Sequence, residues 1–409
     1  MVCKHQLFRQ GTRASLTVQT IPLQTTRIDS VSELAPNLEA WRKLAAGAPM
    51  RSPEWLLAWW EIFAAPADTL CVLLLHEPEG DLVGLAPLYL QDKGSSATFR
   101  LLGSGDACTH HTTWLALNGW EIRVGVEVAR FLLQCKSDWK RLLFEAVDAD
   151  AAAIHATVKH LAANGCLIHK RRIHSCWMIA LPATWDDYLM MLSRSLRKRC
   201  RKLQRQFFDS DTIKLRWVES EADLKQGFGI LLQQHGARWG NARKPLGVFE
   251  DKKFRTFHEK VSSYLLAHKQ LRLAWLEYDG KPIAAEYQFF NANAVYAYQA
   301  GVDLSKSEYS PGKLSMIAAI QFAIEHGCEY FDLLRGDEPY KANWRAAPVA
   351  CHDLRVWQKG MMGRLEWAMW NGYTLAVRFL KPIIPPQLIN LGLRFFQALR
   401  NACCKQHAG

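Results

Sequence analysis

The stretch "QLRLAWLEYDGKPIAAEYQFF", residues 270–290, decides the fold. Two runs rich in Leu, Ile, Tyr and Phe flank Asp279-Gly280-Lys281, and Gly280 can supply the positive φ of a tight turn, so the stretch predicts a β-hairpin. The pattern occurs a second time at residues 69–90, "TLCVLLLHEPEGDLVGLAPLYL", around Gly80, and each copy sits downstream of a helix-like stretch rich in Trp. The two hairpins also lead into similar runs of elements. After the first come a strand at 98–102, the loop "GSGDACTHH", a helix over about 120–136, the strand "RLLFEAV" and a helix over about 150–164. After the second come a strand at 294–300, the loop "GVDLSKSEYSPG", a helix over about 312–326 and the strand "YFDLL". A repeated order of hairpin, strand, loop, helix and strand implies a duplicated unit of the α/β (α+β) class. The expected organisation is a tail at 1–27, a first lobe at 28–180, a second at 181–356 and a C-terminal helical extension at 357–409, each lobe being a mixed central sheet flanked by helices.

Length and composition agree with two globular lobes. A chain of 409 residues exceeds what one hydrophobic core organises, and 49% of it is hydrophobic. The 51 Lys and Arg against 39 Asp and Glu leave a net charge of +12, a field that favours phosphate-bearing partners such as nucleotides, coenzyme A, nucleic acids or acidic membrane surfaces. The 11 cysteines run from Cys3 to Cys404 without a CxxC pair, which argues for free thiols in a reducing cytoplasm and against a disulfide framework or a structural zinc site. A polar, basic N-terminus and the absence of any long apolar run argue against a signal peptide or a membrane span.

Two further segments stand out by charge and periodicity. "SRSLRKRCRKLQRQFF", 193–208, carries seven cations and no acid, and reads either as a solvated helix or as a phosphate or RNA contact. Beyond residue 357 two amphipathic helices flank "KPIIPP"; they pack on the protein itself or, through Arg378, Lys381, Arg394 and Arg400 beside bulky apolar residues, touch a membrane surface.

Chemistry-bearing residues concentrate late in the chain. In "YSPGKLSMIAAIQFAIEHG", 309–327, Ser310 is placed to cap a helix, Pro311 suits its first turn and Gly327 its end. The N-terminus of that helix is an anion site in waiting, with Gly312 allowing close approach. The next strand ends in "FDLLRGDEPYKANW", 331–344. Alternation puts Asp332 and Leu334 on one face and Leu333 and Arg335 on the other, and Gly336 then turns the chain. Asp337 is placed to cap a short helix that pairs Tyr340 with Trp344 and Asp337 with Lys341. Charges on an apolar strand are costly unless paired, which marks Asp332 and Arg335 as site candidates. Upstream, His235, Arg238 and Trp239 in "QQHGARWGN" share a helix face, a pattern of either packing or binding. Asp106, Cys108, His110 and His111 in the "GDACTHH" loop do not make a ligand set of known spacing, and no metal is expected.

Taken together, "SPG" opening a helix, "FDLLRGDEPYKANW", "LLQQHGARWG" and "LPATWDDYLMMLSRSLRKRCRKL" resemble the CelD/BcsL-type acetyltransferases of the GNAT superfamily, and "RSPEWLLAWWEIF" and "GDLVGLAPLYL" are similar to that family's first half. The resemblance spans roughly residues 30–355 and implies tandem GNAT-like lobes, acetyl-CoA as acyl donor without a metal, an amine or hydroxyl acceptor on a small molecule or saccharide, and a link to cellulose or exopolysaccharide production. It also implies a cytoplasmic protein, peripheral to the inner membrane or a polysaccharide synthase if the C-terminal helices make that contact. By the same resemblance the donor lies between two splayed strands, 294–300 and 330–335, held by Ser310, Gly312, Lys313, Arg335 and Lys341. Tyr340 is then the general acid and Asp337 or Glu286 the general base, with His235, Arg238, Trp239 and Asp332 toward the acceptor. The pyrophosphate loop has fewer glycines than GNAT enzymes usually carry. That keeps open a relationship to Fem-type transferases, with an aminoacyl-tRNA donor gripped by the basic helix, and a third reading as a non-catalytic assembly protein.

Overall fold

The computed structural model describes residues 22–380 except 79, 92–96, 106, 108 and 242–245. The N-terminal tail before residue 22, the second C-terminal helix, and the loop residues Asp106 and Cys108 lie outside the described residues. The first half contributes β1 (Gln24–Ile28), α1 (Leu38–Leu44), α2 (Pro53–Phe63), β2 (Thr69–His76), β3 (Leu82–Gln91), β4 (Thr98–Leu101), β5 (Leu115–Ala116), α3 (Glu121–Gln134), β6 (Arg141–Asp148), α4 (Ala152–Ala163) and β7 (Leu167–Ala180). The second contributes α5 (Trp185–Met191), α6 (Arg194–Leu203), β8 (Ile213–Trp217), α7 (Glu221–Trp239), α8 (Lys252–Ala267), β9 (Leu271–Tyr278), β10 (Lys281–Phe290), β11 (Ala294–Val302), α9 (Pro311–Glu325), β12 (Tyr330–Arg335), α10 (Tyr340–Asn343), β13 (Ala347–Trp357) and α11 (Met361–Leu380).

Both hairpins form as antiparallel pairs, β2 with β3 and β9 with β10, around Gly80 and Gly280 in positive φ. The duplicated order holds beyond them. In each half a strand parallel to its neighbour follows the hairpin: β4 pairs with β6 across α3, and β11 pairs with β12 across α9. Two mixed α/β lobes flanked by helices are therefore the architecture.

The lobes share one sheet, ordered β1-β2-β3-β4-β6-β13-β7-β12-β11-β10-β9-β8, with β5 on β3. Residue 181 follows β7, yet β7 pairs with β12 of the second half, while β13, late in the sequence, inserts between β6 and β7. Each half thus donates a strand across the seam.

Three cores pack the sheet. One fills the first lobe under α3 and α4, with Phe99, Val128, Leu142 and Ile154 fully buried. Another fills the second lobe under α6 and α9, with Leu203, Ile283, Ile317 and Phe331. The third joins the lobes through α1, α2, α7 and α8, where the Trp55 ring stands edge-on to Phe257, Phe289 and Tyr298 at 4.9, 5.3 and 5.7 Å. Its indole N–H donates to Thr109 Oγ1 at 2.9 Å, so the large apolar ring is buried without an orphan donor. Gly301 of β11 lets the α7 backbone approach, since a Cβ there would stand 2.2 Å from His235 N.

Among the described residues no helix is long and apolar enough to cross a membrane. The helix α11 docks on β7 through Trp367, which donates to the Ile168 carbonyl at 3.0 Å, and on β13 through Trp370, over which Arg355 lies at 3.7 Å. Its other side leaves Met361, Leu365 and Phe379 exposed.

Candidate active site

The parallel pairing of β11 with β12 lasts only from Ala294–Tyr330 to Tyr296–Asp332. Beyond it the strands part, because Leu334 adopts φ 53° and the register of β12 on β7 shifts between Asp332 and Arg335. Their separation opens a cleft of about 860 Å³. On one side stand His235, Arg238 and Trp239 of α7; on the other Ser310, Gly312 and Lys313 at the start of α9; Glu286, Arg335, Tyr340 and Lys341 line the part between. The structure thus brings together ten residues that the sequence scattered from 235 to 341.

Cations gather at the start of α9. Ser310 occupies the helix cap position at φ 55°, but its side chain makes no capping hydrogen bond; instead Arg199 of α6 donates to Ser310 Oγ at 2.8 Å. The basic run of residues 194–205 therefore delivers a cation to the positive end of α9, beside Lys313. Arg199 was not among the expected donor contacts. Its sequence signal, a cation cluster without local acids, was present, but only the fold shows which helix end it meets. A Cβ on Gly312 would meet nothing nearer than Val302 at 3.8 Å, so the position is open toward the cleft.

Glu286 on β10 is the acid in the middle. Burial raises its carboxyl to about 7 against the pull of Arg272 and Arg238, and Gln288 Nε2 donates to it at 3.3 Å. Gln288 is held in turn by buried Arg272, which donates to its Oε1 at 2.7 Å. The carboxyl is thus fixed in place and titrates near neutrality. Tyr340 stands at the cleft mouth, its phenol raised by burial and then by the charges of Glu338 and Glu286, so it keeps its proton at neutral pH. His235 is buried and held neutral by desolvation, with Nδ1 3.1 Å from the Leu246 carbonyl. Trp239 donates to the Ala300 carbonyl at 3.3 Å and carries Arg238 over its ring at 4.6 Å.

Three expected residues stand elsewhere or are occupied otherwise. Asp337 does not line the cleft: it turns to β7, where it accepts from Trp177 Nε1 at 3.1 Å and Ser175 N at 3.3 Å, and the Trp177 bond leads in holding its carboxyl below the usual range. Nor does it cap the short helix α10, which begins after Pro339 without a side-chain cap, and the ion pair there joins Lys341 to Glu338 at 3.0 Å. Lys341 lines the cleft but is buried, and its Nζ donates to the carbonyls of Leu333, Leu334, Arg335 and Gly336 at 3.0–3.3 Å, leaving it committed to the backbone. Asp332 is buried on the far side of β12, in a second cavity, against His111.

One comparison with known proteins falls on the same half of the chain: residues 194–342 match the acetyltransferase (GNAT) domain family. The solved structure of FemX aligns with 74% of this chain and 90% of its own at a TM-score of 0.52 and 10% identity, a likeness of fold. A tandem GNAT protein from the clavulanic acid biosynthesis pathway aligns at 13% identity over 83% of this chain and 99% of its own, TM-score 0.42. L-PGS from Bacillus licheniformis does so at 12% identity over 78% and 96%, TM-score 0.44. No curated protein matches the chain in sequence.

Proposed function

We propose that this chain is an acyl-CoA-dependent acyltransferase in which Glu286 is the general base and Tyr340 the general acid. The observation that carries the reading is the cleft itself: the Glu286 carboxyl, raised to about 7, lies between the N-terminus of α9 and the wall made by His235, Arg238 and Trp239. The coenzyme's phosphates take the end of α9 with Lys313 and Arg199, and the acceptor lies against His235, Arg238 and Trp239. The acceptor amine or hydroxyl attacks the thioester carbonyl and gives its proton to the Glu286 carboxylate; the C–S bond breaks, and Tyr340 protonates the departing thiolate. In this reading Arg335, on the cleft wall, contacts the donor, and Lys341 shapes the strand end that presents it.

The CelD/BcsL resemblance supplies the finer reading, an acceptor on a saccharide or other envelope precursor, and the exposed apolar side of α11 is the surface that a peripheral membrane contact would use. The experiment is a thermal-shift series with acetyl-CoA, desacetyl-CoA and RNA, since a ligand that binds only the folded state raises its melting temperature. A rise with acetyl-CoA that is lost in Arg199→Ala supports the reading. Stabilisation by RNA alone would replace it with the Fem-like reading, in which the cations of α6 grip a tRNA.

A further inference from the structure

A second cavity of about 610 Å³ lies at the seam between the lobes. It is the first lobe's counterpart of the cleft, beyond the parallel pairing of β4 with β6 and beside the first residue of α3. Its charge is opposite, however: Glu121, Asp148, Asp150 and Asp332 outnumber Arg51 and His111 on its walls, which disfavours the phosphates of a coenzyme.

At and beneath the wall of this cavity five chain segments converge. His111 Nδ1 is 2.7 Å from Asp148 Oδ2 on β6, and its Nε2 is 2.7 Å from Asp332 Oδ2 on β12. Cys351 Sγ, on β13, is 3.5 Å from Asp148 Oδ1 and 3.6 Å from the sulfur of Cys176 on β7. One ligand atom each from His111, Asp148 and Cys176 lie within 4.8 Å of one another.

We propose that His111, Asp148 and Cys176 bind one divalent transition-metal ion, zinc by the chemistry of the set, and that Cys351, whose sulfur lies 3.6 Å from that of Cys176, joins as the fourth ligand when the ion is bound. Imidazole, carboxylate and two thiolates are borderline-to-soft ligands that suit tetrahedral zinc better than magnesium or calcium. Two thiolates at about 2.3 Å from a tetrahedral ion stand about 3.8 Å apart, close to the Cys176–Cys351 spacing of 3.6 Å. Asp332 completes the pattern from outside. It accepts the His111 Nε2–H, is itself held by the Leu334 N–H at 2.7 Å, and so leaves Nδ1 to face the ion, the arrangement by which metal-bound histidines are usually oriented. The four ligands come from a loop of the first lobe and from β6, β7 and β13, so the ion fastens the exchanged strands. Sequence spacing conceals the set because 240 residues separate His111 from Cys351.

The test is metal content of the full chain, purified under reducing conditions and dialysed with zinc sulfate. One zinc per chain is expected, with a melting temperature that rises on loading and falls on chelation. Cobalt loading should give thiolate-to-cobalt charge-transfer absorption that is lost in Cys176→Ser and Cys351→Ser. Asp332→Asn, which keeps all four ligands, should weaken zinc binding about 10- to 100-fold. Wild-type chain that retains no zinc and shows no cobalt–thiolate absorption would overturn the proposal, without depending on the folding of any variant. Zinc retained undiminished by the Cys176→Ser/Cys351→Ser double variant would overturn it as well.

Discussion

At the residue scale the proposed reaction turns on which carboxyl takes the acceptor's proton. Glu286 and Asp337 are 51 residues apart in the chain and differ in environment: one is lifted to about 7 by burial inside the cleft, the other is held low by Trp177 and Ser175 outside it. A base must be ionised to act, so kcat should rise with pH through about 7 and level off above it. Glu286→Gln should lower kcat by about 10²- to 10⁴-fold and abolish that acidic limb, read from the pH profile of acyl transfer. Asp337→Asn should keep turnover close to wild type with the limb intact. Asp337→Ala should leave the Trp177 and Ser175 donors without their acceptor and cost about 1 kcal/mol in denaturant unfolding. The raised carboxyl also has a stability signature. Its contribution is full below the ordinary carboxyl range and is lost as pH rises through about 7, so Glu286→Gln should gain stability relative to wild type above that pH.

At the element scale, α9 and the end of β12 form the proposed donor side by different means. Gly312 leaves an open position at the first turn of α9, so Gly312→Val should keep the melting temperature within about 2 °C of wild type while weakening acetyl-CoA binding tenfold or more, read by calorimetry. Lys341→Met should do the reverse of a local change. It leaves four carbonyls at the end of β12 without their shared donor and should destabilise the fold by about 3 kcal/mol or more. The hairpins and α9 were legible in the sequence because turn glycines, caps and apolar runs are local signals. The strands β7 and β13 were not: "LIHKRRIHSCWMIA" and "APVACHDLRVW" carry basic and polar residues where alternation would need apolar ones. The charges of β7 find partners only across the sheet, as Arg171 does with Asp353 on β13 at 2.6 Å. Likewise, ten of the expected site residues meet in one cleft, because a helix face and a strand end advertise themselves locally. The burial that raises Glu286, the side to which Asp337 turns and the carbonyls that occupy Lys341 depend on the bulge at Leu334 and on a strand 160 residues upstream of Asp337.

At the scale of the whole molecule the decisive feature is the exchange at the centre of the sheet. The first half leaves β6 with a partner only on its β4 side until β13 arrives, and the second half leaves β12 without the neighbour that β7 supplies. A half expressed alone would expose a row of unpaired backbone N–H and C=O groups on a central, apolar strand, a surface prone to pairing with other chains. The core around Trp55, Phe257 and Phe289 also needs residues from both halves. Residues 22–181 on their own should therefore be aggregated or lack fixed near-ultraviolet dichroism, and the intact chain should unfold in one calorimetric transition with equal calorimetric and van't Hoff enthalpies. Two separated transitions, or a soluble and cooperatively folded 22–181 fragment, would show that the lobes are independent and that the shared sheet adds little.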